Sequence, residues 1–349
     1  MTRNFKIRDR TIGHDCPPYF IAEMSGNHNG AMERAFAIIK AAKEAGADAV
    51  KLQTYTAGTM TIDHDGDHFK IKKGLWAGRT LYDLYQEAMT PWQWHGPMFD
   101  YAKELDITIF SSPFDRSAVD FLEGLDAPAY KIASFEMIDL PLVKYVAETG
   151  KPVIISTGMA TFQEIQDVIK VVKDTGNDQV VILHCVSGYP SQPSEANLRT
   201  MQDIAGSFDV FAGLSDHTLG IAVPVAATML GAVVIEKHFT LSREEGGVDS
   251  AFSLEPQEFG DMTRSCREAF AILGSVDYGL KQSEVENRKY RRSLYVTQDI
   301  RKGACFSREN IRSIRPGFGI EPRFIDEVMG KAATKDITRG TALSWDMIS

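Results

Sequence analysis

Two short apolar runs in the second half of the chain each end in a pair of polar residues spaced two positions apart. The pairs are Ser215 with His217 and Glu236 with His238. Residues i and i+2 of a strand share a face, so each histidine would point the same way as its partner. If the two runs are neighbouring strands about 4.8 Å apart, both imidazoles could bind one divalent ion through bonds of about 2.0–2.2 Å. We therefore predict that His217 and His238 bind a catalytic metal ion, with open positions for water or substrate that make it a Lewis acid.

Two histidines without a third protein ligand leave the identity of the ion open among Mn, Co, Fe, Zn and Mg. The same spacing also fits two histidines that only form hydrogen bonds inside a cavity. Glu23, which ends an earlier run, and Glu236 could handle protons near such an ion, because burial beside a cation controls the ionisation of a carboxylate. The alternative for either glutamate is a structural ion pair with a lysine, and the sequence does not assign the base.

Lysine and serine side chains end several other apolar runs. Lys51 and Lys131 lie at or near the ends of two of them, and three serines occupy comparable places: Ser112, Ser134 and Ser215. The chain has no P-loop and no G-x-G-x-x-G motif, so an anionic ligand would be held by such side chains together with backbone amides. A phosphorylated carboxylic acid would suit this set. The alternative is that the lysines extend to water at the rim of the fold.

Eight short apolar runs recur along residues 19–239. They are Tyr19–Ser25, Ala49–Gln53, Ile107–Phe114, Ala129–Ser134, Val153–Thr157, Val180–Cys185, Val210–His217 and Val233–Phe239. Most are separated by a stretch with helical spacing, such as residues 31–45. This alternation predicts an α/β fold made of parallel βαβ units, and eight units predict a closed (β/α)8 or TIM barrel. The carboxyl ends of barrel strands share one face, so the polar ends of the runs would meet at a single site.

A long insertion separates the second run from the next helix. More than 30 residues lie between Tyr55 and the helix start at Thr90 and Pro91, and on a barrel such a segment lies beside the active site. Its aromatic residues would suit the apolar faces and acetyl groups of a sugar. Tyr82 and Tyr85 have helical spacing and are expected to pack. Part of the remaining set is expected to form a wall for the substrate: Trp76, Arg79, Trp92, Trp94 and His95.

The pattern changes near Leu280, which predicts a barrel domain of residues 1–280. Residues 281–292 are polar and are interpreted as a linker. Residues 293–349 contain a short repeat, in which the segment from Asp299 to Gly303 returns as Asp336 to Gly340. Two copies are too few for a solenoid, so the repeat predicts a small pseudo-symmetric domain.

Composition limits the partners and the location of the protein. The formal net charge of -9 argues against a general affinity for nucleic acid or anionic membranes. The four cysteines form no C-x-x-C pair, and residues 1–10 lack the apolar segment of a secretory signal. The longest uncharged run, Thr218–Ile235, is interrupted by glycine and proline. We expect a cytoplasmic protein with reduced thiols and no membrane span.

Five sets of residues resemble the sialic acid synthase family of phosphoenolpyruvate-condensing enzymes, and together they extend over essentially the whole chain. They are Ile21–Glu23 with Asn27–Gly30, Ala45–Lys51, Gly213–Thr218, Glu236–Phe239 and Arg315–Gly317. The resemblance implies a TIM barrel followed by a small antifreeze-like (SAF) domain. In relatives this domain closes over the barrel of the partner subunit in a swapped homodimer.

The resemblance also implies roles for individual residues. A divalent ion, Mn, Co or Mg, would be held by His217 and His238. Arg315 would reach an acetamido sugar across the dimer, and Gln53 and Asp249 are expected to bind substrate as well. Phosphoenolpyruvate would be held by five side chains: Lys51, Ser112, Lys131, Ser134 and Ser215.

Further segments are most similar to the family members that act on 2,4-diacetamido-2,4,6-trideoxy-L-altrose. They are Leu75–Tyr82, Thr90–His95, Ser111–Asp115, Lys131–Glu136 and Asp249–Leu254. The implied reaction joins C3 of phosphoenolpyruvate to the sugar aldehyde and releases phosphate by C–O cleavage. Ser187 stands where relatives typically carry an asparagine, so one phosphate or carboxylate contact would be absent or replaced. The alternatives are a synthase for N-acetylneuraminate or legionaminate, a metal-dependent aldolase that uses pyruvate, and an inactive barrel that binds carbohydrate.

Overall fold

A closed barrel of eight parallel strands forms the first of two units in this computed structural model, which describes residues 4–349 and divides after Gly274. A short antiparallel hairpin precedes the barrel, with strands β1 (Phe5–Ile7) and β2 (Arg10–Ile12). The barrel strands follow in chain order: β3 (Tyr19–Glu23), β4 (Ala49–Thr54), β5 (Thr108–Pro113), β6 (Tyr130–Ile132), β7 (Val153–Ser156), β8 (Val180–Cys185), β9 (Phe211–Asp216) and β10 (Val234–His238). Strand β10 closes the ring against β3. Each barrel strand coincides with one of the eight apolar runs, and only β4 extends past its run, by one residue. The predicted TIM barrel is therefore confirmed.

Helices alternate with these strands. They are α1 (Met32–Glu44), α2 (Ala57–Met60), α3 (Leu81–Ala88), α4 (Trp92–Glu104), α5 (Arg116–Glu123), α6 (Leu140–Ala147), α7 (Phe162–Asp174), α8 (Arg199–Phe208), α9 (Ala222–Met229) and α10 (Pro256–Leu273). Helix α7 shows why the sequence forms them, because its residues at positions 165, 168, 169 and 172 are apolar and buried on one face. Its first turn is fixed by a capping box between Thr161 and Glu164. Within residues 4–349, no helix has both the length and the apolar character that crossing a bilayer requires.

The hairpin of β1 and β2 covers the amino end of the barrel. Phe5, Ile7 and Ile12 are buried in one apolar cluster with barrel residues from the strand starts, among them Tyr19 and Phe211. The rings of Phe5 and Phe211 lie 6.0 Å apart. Burial of these side chains closes this end of the barrel interior with hydrophobic contacts.

The register of the strands brings polar residues together at the opposite, carboxyl end. Glu23 pairs with Lys51 across β3 and β4, and Glu236 pairs with Ser215 across β10 and β9. Paired residues of parallel strands face the same side of a sheet. The polar strand ends therefore project into the mouth of the barrel, where sites of TIM barrels lie.

The long insertion between β4 and α4 is ordered around a hairpin of residues 70–80. The amide of Ile71 donates to the carbonyl of Arg79 over 2.9 Å, and the amide of Gly78 donates back to the carbonyl of Ile71 over 2.8 Å. Gly78 has a φ of 91°, a conformation that glycine adopts without strain. Trp76 lies in the turn of this hairpin, two residues before Gly78.

The second unit contains the repeat predicted from the sequence. Strands β11 (Ser293–Val296) and β12 (Ile311–Ile314) pair antiparallel, and helix α11 (Ile325–Val328) follows. The two copies of the repeat contact each other reciprocally at matching distances. The backbone amides of Ile300 and Ile337 each donate to the other's carbonyl over 2.8 Å, and those of Lys302 and Arg339 donate to Asp336 and Asp299 over 2.7 Å. This exchange is the pseudo-symmetry expected of the two copies.

Candidate active site

Two lysines and two glutamates form a buried cluster of charges in the barrel mouth. The ammonium of Lys51 lies 2.9 Å from a carboxylate oxygen of Glu23 and 3.4 Å from Oε1 of Glu236. Lys131 approaches the same oxygen of Glu236 to 3.7 Å and donates to the carbonyl of Ile132 over 3.0 Å. All four charged side chains are at most 6% exposed. Water therefore screens these pairs only weakly.

Burial and mutual charge drive the pKa values of the two glutamates apart. Burial raises the pKa of Glu23 to about 7, although Lys51 opposes this shift. Burial acts the same way on Glu236, but Lys131 and Lys51 together outweigh it and hold its pKa below the ordinary value. Glu236 is therefore ionised at neutral pH, and Glu23 is poised between its two forms. Two carboxyls with separated pKa values can serve as a base and as a fixed negative charge.

The two lysines also differ in their pKa values. Burial lowers the pKa of Lys131 to about 8. Burial opposes the charge of Lys51 too, but Glu23 and Glu236 raise its pKa above the ordinary value. Lys51 is thus a permanent cation, whereas Lys131 loses its charge at mildly alkaline pH.

The three predicted serines lie at different places in the mouth. The hydroxyl of Ser112 accepts from Lys51 over 3.4 Å, and that of Ser215 donates to Oε1 of Glu236 over 3.2 Å. Ser134 lies two residues beyond the end of β6, in the following turn, and its hydroxyl accepts from the amide of Gly158 over 3.0 Å. Residues 131 and 134 are three positions apart and would face opposite sides of one regular strand. Because β6 ends at Ile132, Ser134 lies in the turn, where this rule does not apply.

A chain of hydrogen bonds connects Gln53 with Asp249. The amide of Gln53 donates to Oε1 of Glu23 over 2.8 Å and to the hydroxyl of Ser25 over 3.2 Å. Ser25 in turn donates to the carboxylate of Asp249, whose Oδ2 lies 3.9 Å from Nδ1 of His238. This chain joins two predicted substrate ligands to a predicted metal ligand.

His217 and His238 face each other at the mouth, with ring centroids 5.3 Å apart. Nδ1 of His217 lies 3.0 Å from the carbonyl of Val186, so this nitrogen is a donor. Burial opposes the charged ring, but Cys185 and this carbonyl outweigh it and raise the pKa of His217, so Nε2 offers a lone pair once the ring loses its proton. Nδ1 of His238 is buried and has no hydrogen-bond partner within residues 4–349. Burial lowers the pKa of His238, so its ring is neutral and able to coordinate an ion.

These donors fit a metal that takes two imidazoles from the protein and keeps open positions. Across residues 4–349, no group of three or more histidine, cysteine, aspartate or glutamate side chains is arranged to hold an ion. The unpartnered nitrogen of His238 is the observation that favours a ligand here, since buried polar atoms in proteins are normally satisfied.

Three residues of the site were missed by the sequence analysis: Ser25, Glu136 and Tyr189. Oε2 of Glu136 is buried without a hydrogen-bond partner in the described part of the chain, and burial raises the pKa of this carboxyl to about 7. The ring of Tyr189 lies 4.5 Å from that of His217. Tyr189 stands in a turn of residues 189–190 soon after β8, and this place after a strand end was the available signal.

The aromatic residues of the insertion take two different positions. Trp92 stacks on Phe121 with centroids 4.7 Å apart, and Trp94 packs against His28. Nε2 of the buried His95 lies 2.8 Å from the hydroxyl of Thr54. Trp92 and His95 both contact Phe121 of α5, and Trp94 contacts His28, so these three side chains pack in the structure and do not form the expected wall for the substrate.

Trp76 is the aromatic residue of the predicted wall that reaches the mouth. Its ring lies 6.0 Å from Tyr189, and its indole donates to the carbonyl of Val248 over 2.9 Å. Tyr85 packs on Tyr55, as expected, with centroids 5.9 Å apart. Arg79 forms an ion pair with Glu87 within the insertion. Arg315 lies in the second unit, directly after β12, and is exposed.

Both units match known protein families. The NeuB family matches residues 38–278, and the SAF domain matches residues 291–349. A pseudaminic acid synthase of Campylobacter jejuni is 46% identical over 325 residues, which are 93% of this chain and 95% of the relative. An N,N'-diacetyllegionaminic acid synthase of Legionella pneumophila is 37% identical over 347 residues, 98% of this chain and 97% of the relative.

The fold is also similar to solved structures. The crystal structure of a spore coat polysaccharide biosynthesis protein from Bacillus subtilis matches with a TM-score of 0.68 and 35% identity, over 99% of both chains. The alignment therefore includes the barrel and the repeat-containing unit. On these matches and on the geometry of its mouth, the chain belongs to the NeuB family and ends in a SAF domain.

Proposed function

We propose that this chain is a pseudaminic acid synthase, which condenses phosphoenolpyruvate with 2,4-diacetamido-2,4,6-trideoxy-L-altrose to give pseudaminic acid and phosphate. The observation that carries the proposal is the convergence of two lysines, two glutamates and two histidines in one barrel mouth. The identity of 46% to a pseudaminic acid synthase, against 37% to a diacetyllegionaminic acid synthase, favours this sugar over the alternatives.

Phosphoenolpyruvate carries a carboxylate and a phosphate, which need cations and hydrogen-bond donors in a buried site. Lys51 and Lys131 supply two ammonium groups that are already desolvated in the mouth. Ser112 accepts from Lys51, and Ser215 donates to Glu236, which both lysines approach. Ser134 lies in the turn directly after the strand of Lys131, so the three hydroxyls can complete an anion site. We assign phosphoenolpyruvate to these five side chains.

The sugar would bind on the side of the histidines. When a divalent ion, Mn, Co or Mg, is bound at His217 and His238, it supplies Lewis-acid polarisation of the sugar aldehyde. Asp249 and Gln53 lie in one hydrogen-bonded chain beside these histidines. The carboxylate of Asp249 and the amide of Gln53 can orient the hydroxyl and acetamido groups of the sugar, because these hydrogen bonds hold both side chains in place before the substrate binds.

In the proposed reaction a C–C bond forms between C3 of phosphoenolpyruvate and the aldehyde carbon, and the electron pair comes from the enol double bond. Positive charge then develops at C2. The ionised Glu236, whose Oε2 is buried and unpartnered within residues 4–349, stabilises this charge. Glu23, with a pKa of about 7, removes a proton from the water that adds at C2. The alkoxide formed from the aldehyde oxygen takes up a proton. The hydroxyl added at C2 then loses its proton as the bond between C2 and the bridging oxygen breaks, which leaves a ketone at C2 and releases phosphate with that oxygen.

The test is phosphate release by the purified chain with phosphoenolpyruvate and each of three sugars: the diacetamido-trideoxy altrose, and the sugar precursors of N-acetylneuraminate and legionaminate. We expect the highest kcat/KM with the first sugar. A higher value with either of the others would replace the proposed activity by a related synthase. Sugar binding without turnover of any of them would point to an inactive carbohydrate-binding barrel.

Isotope labelling tests the path of bond cleavage. In water enriched in heavy oxygen, the label is expected in the nine-carbon acid and absent from phosphate, because the C–O bond breaks. Label in the phosphate would contradict this route. Pyruvate offered in place of phosphoenolpyruvate is expected to give no product, whereas a pyruvate aldolase would accept it.

We also propose that two copies form a homodimer in which the SAF domain of each covers the barrel mouth of the other. Large apolar side chains at the rim of the mouth are exposed: Phe135 by 59%, Ile138 by 64%, Met159 by 63% and Leu219 by 59%. They lie in the loops that follow β6, β7 and β9. A cover over this rim would remove apolar surface from water and would keep water from the reacting atoms.

The dimer would bring the exposed Arg315 of one copy to the sugar bound by the other. Its test is complementation between two inactive variants, Arg315→Ala and His238→Ala, after they are unfolded and refolded together. Since a mixed dimer holds one intact site, about a quarter of the wild-type activity is expected to return. No recovery, or a monomer by sedimentation at the assay concentration, would contradict the proposal.

We place the reaction in the cytoplasm, where the four unpaired cysteines stay reduced.

A further inference from the structure

Three aromatic rings extend outward from the histidine pair, and we call them the aromatic wall: Phe252, Tyr189 and Trp76. The ring of Phe252 lies 4.9 Å from His238 and 5.3 Å from Tyr189. Tyr189 lies 4.5 Å from His217, and Trp76 lies 6.0 Å beyond Tyr189. The wall thus connects the histidines with the turn of the 70–80 hairpin.

Trp76 fixes this hairpin to the barrel. Its indole N–H donates to the carbonyl of Val248 over 2.9 Å, across 172 positions of the chain. Trp76 is half-buried, whereas its neighbours at positions 72–75 and 77–78 are exposed. Val248 immediately precedes Asp249, whose carboxylate is held by Ser25. The outer end of the wall is therefore positioned by the same loop that positions a proposed sugar ligand.

The outer ring of the wall has its polar atom already engaged. The indole N–H of Trp76 is used by the carbonyl of Val248. Phe252 has no polar side-chain atom. A ligand hydroxyl placed against these faces would lose its bonds to water without a replacement, whereas a methyl group would gain from the same burial.

We infer that Trp76 makes this site selective for sugars that end in a methyl group at C6 over sugars that end in a hydroxymethyl group. The inference rests on the proposed function, in which the aldehyde lies at the histidine pair. The six-carbon chain then leads outward along the wall, and C6 is its far end. An apolar surface rejects an added hydroxyl by about 10- to 100-fold in kcat/KM, which sets the expected selectivity.

The test compares two sugars, 2,4-diacetamido-2,4,6-trideoxy-L-altrose and its 6-hydroxy counterpart, with the wild type and three variants. Trp76→Ala removes the outer ring and is expected to bring the ratio of the two kcat/KM values close to one. Trp76→Phe removes the N–H but keeps a ring, so it is expected to retain most of the selectivity. Trp92→Ala is the matched control, because its indole also donates to a backbone carbonyl, that of Tyr55, while its ring stacks away from the mouth.

An unchanged ratio in Trp76→Ala, or an equal loss of selectivity in Trp92→Ala, would overturn the inference. Melting curves by circular dichroism establish that the variants are folded. A second measurement needs no turnover: saturation-transfer NMR with the 6-deoxy sugar alone should show transfer to the C6 methyl in the wild type, and this transfer should be lost in Trp76→Ala. If the wild type binds in this way but releases no phosphate with any sugar, the proposed function fails while the contact of Trp76 with C6 stands.

Discussion

Replacement of Lys51 by methionine tests the buried charge cluster on which the site depends. The substitution removes the cation that lies 2.9 Å from Glu23 and 3.4 Å from Glu236. With an effective dielectric constant of about 20, these separations correspond to Coulomb energies of about 6 and about 5 kcal/mol. Part of this energy offsets the desolvation of the lysine, so the net loss is smaller. Breaking a buried ion pair from one side lowers the free energy of unfolding by about 3–5 kcal/mol, and this is the expected effect.

The loss of stability caused by Lys51→Met should depend on pH, because the charge of Glu23 does. The pKa of Glu23 in the fold, about 7, lies above its ordinary value of 4.5, so folding takes up a proton between these values. Below about pH 7 the carboxyl of Glu23 in the fold is protonated and needs no cation, and above about pH 7 it is charged and buried. The destabilisation by Lys51→Met is therefore expected to be larger at about pH 8 than at about pH 5.5.

The assay is urea unfolding followed by circular dichroism at both pH values. Lys170→Met is the matched control, because Lys170 pairs with Asp174 on an exposed helix face and should contribute less than about 1 kcal/mol. The double variant Lys51→Met with Glu23→Gln is expected to recover part of the stability and to lose most of the pH dependence. Equal destabilisation at the two pH values, or a loss no larger than that of Lys170→Met, would refute the reasoning.

Three other predictions follow from the site and the second unit. His238→Ala and His217→Ala should each weaken the binding of Mn, measured by calorimetry, by at least about 10-fold. The control His64→Ala changes an exposed histidine and should leave Mn binding unchanged. Equal binding by all three variants would exclude a metal site at the histidine pair. At pH values above about 8, where Lys131 loses its proton, the KM for phosphoenolpyruvate should rise. At pH values below about 7, where Glu23 gains a proton, kcat should fall. Values of KM and kcat that do not change over this pH range would contradict the proposed roles. Asp299→Ala and Asp336→Ala each remove one of two equivalent hydrogen bonds of 2.7 Å in the repeat. Both variants should therefore lower the free energy of unfolding by a similar amount, about 0.5–1.5 kcal/mol. Unequal losses in urea unfolding would show that the repeat is not energetically symmetric.

The barrel was predictable because its signal is periodic. Buried parallel strands are continuous apolar runs, and each of the eight runs coincides with a strand whose bounds differ by at most two residues at either end. Strand parity also predicted that His217 and His238 would face one space, and their rings are 5.3 Å apart. The first inference needs only the regular geometry of a strand, and the second holds although His217 lies one residue beyond the end of β9.

Parity gave no answer where the backbone leaves the strand. Ser134 and Lys131 have opposite parity, yet both lie in the mouth, because β6 ends at Ile132 and Ser134 belongs to the turn. Tyr189 was missed for the same reason, since it stands in a turn after β8. Side-chain direction in a turn depends on local dihedral angles and tertiary contacts, which have no period that a sequence could display.

Residue type alone also failed to sort the aromatic residues of the insertion. Trp76 and Trp92 both donate to backbone carbonyls, but one reaches the mouth and the other stacks on Phe121. The difference lies in the partner, Val248 for one and Tyr55 for the other, at separations of 172 and 37 positions. Such distant contacts follow from the closed barrel and not from the spacing within the insertion.

The hairpin of β1 and β2 at the amino end of the barrel has a consequence for the order of events in a catalytic cycle. Because Phe5, Ile7 and Ile12 close that end with apolar contacts, we expect both reactants to enter, and both products to leave, through the mouth. In the proposed arrangement the phosphoenolpyruvate site lies further inside the mouth than the sugar site, which the aromatic rings border. A sugar that binds first would therefore block phosphoenolpyruvate from reaching its site. We therefore expect ordered binding, with phosphoenolpyruvate before the sugar.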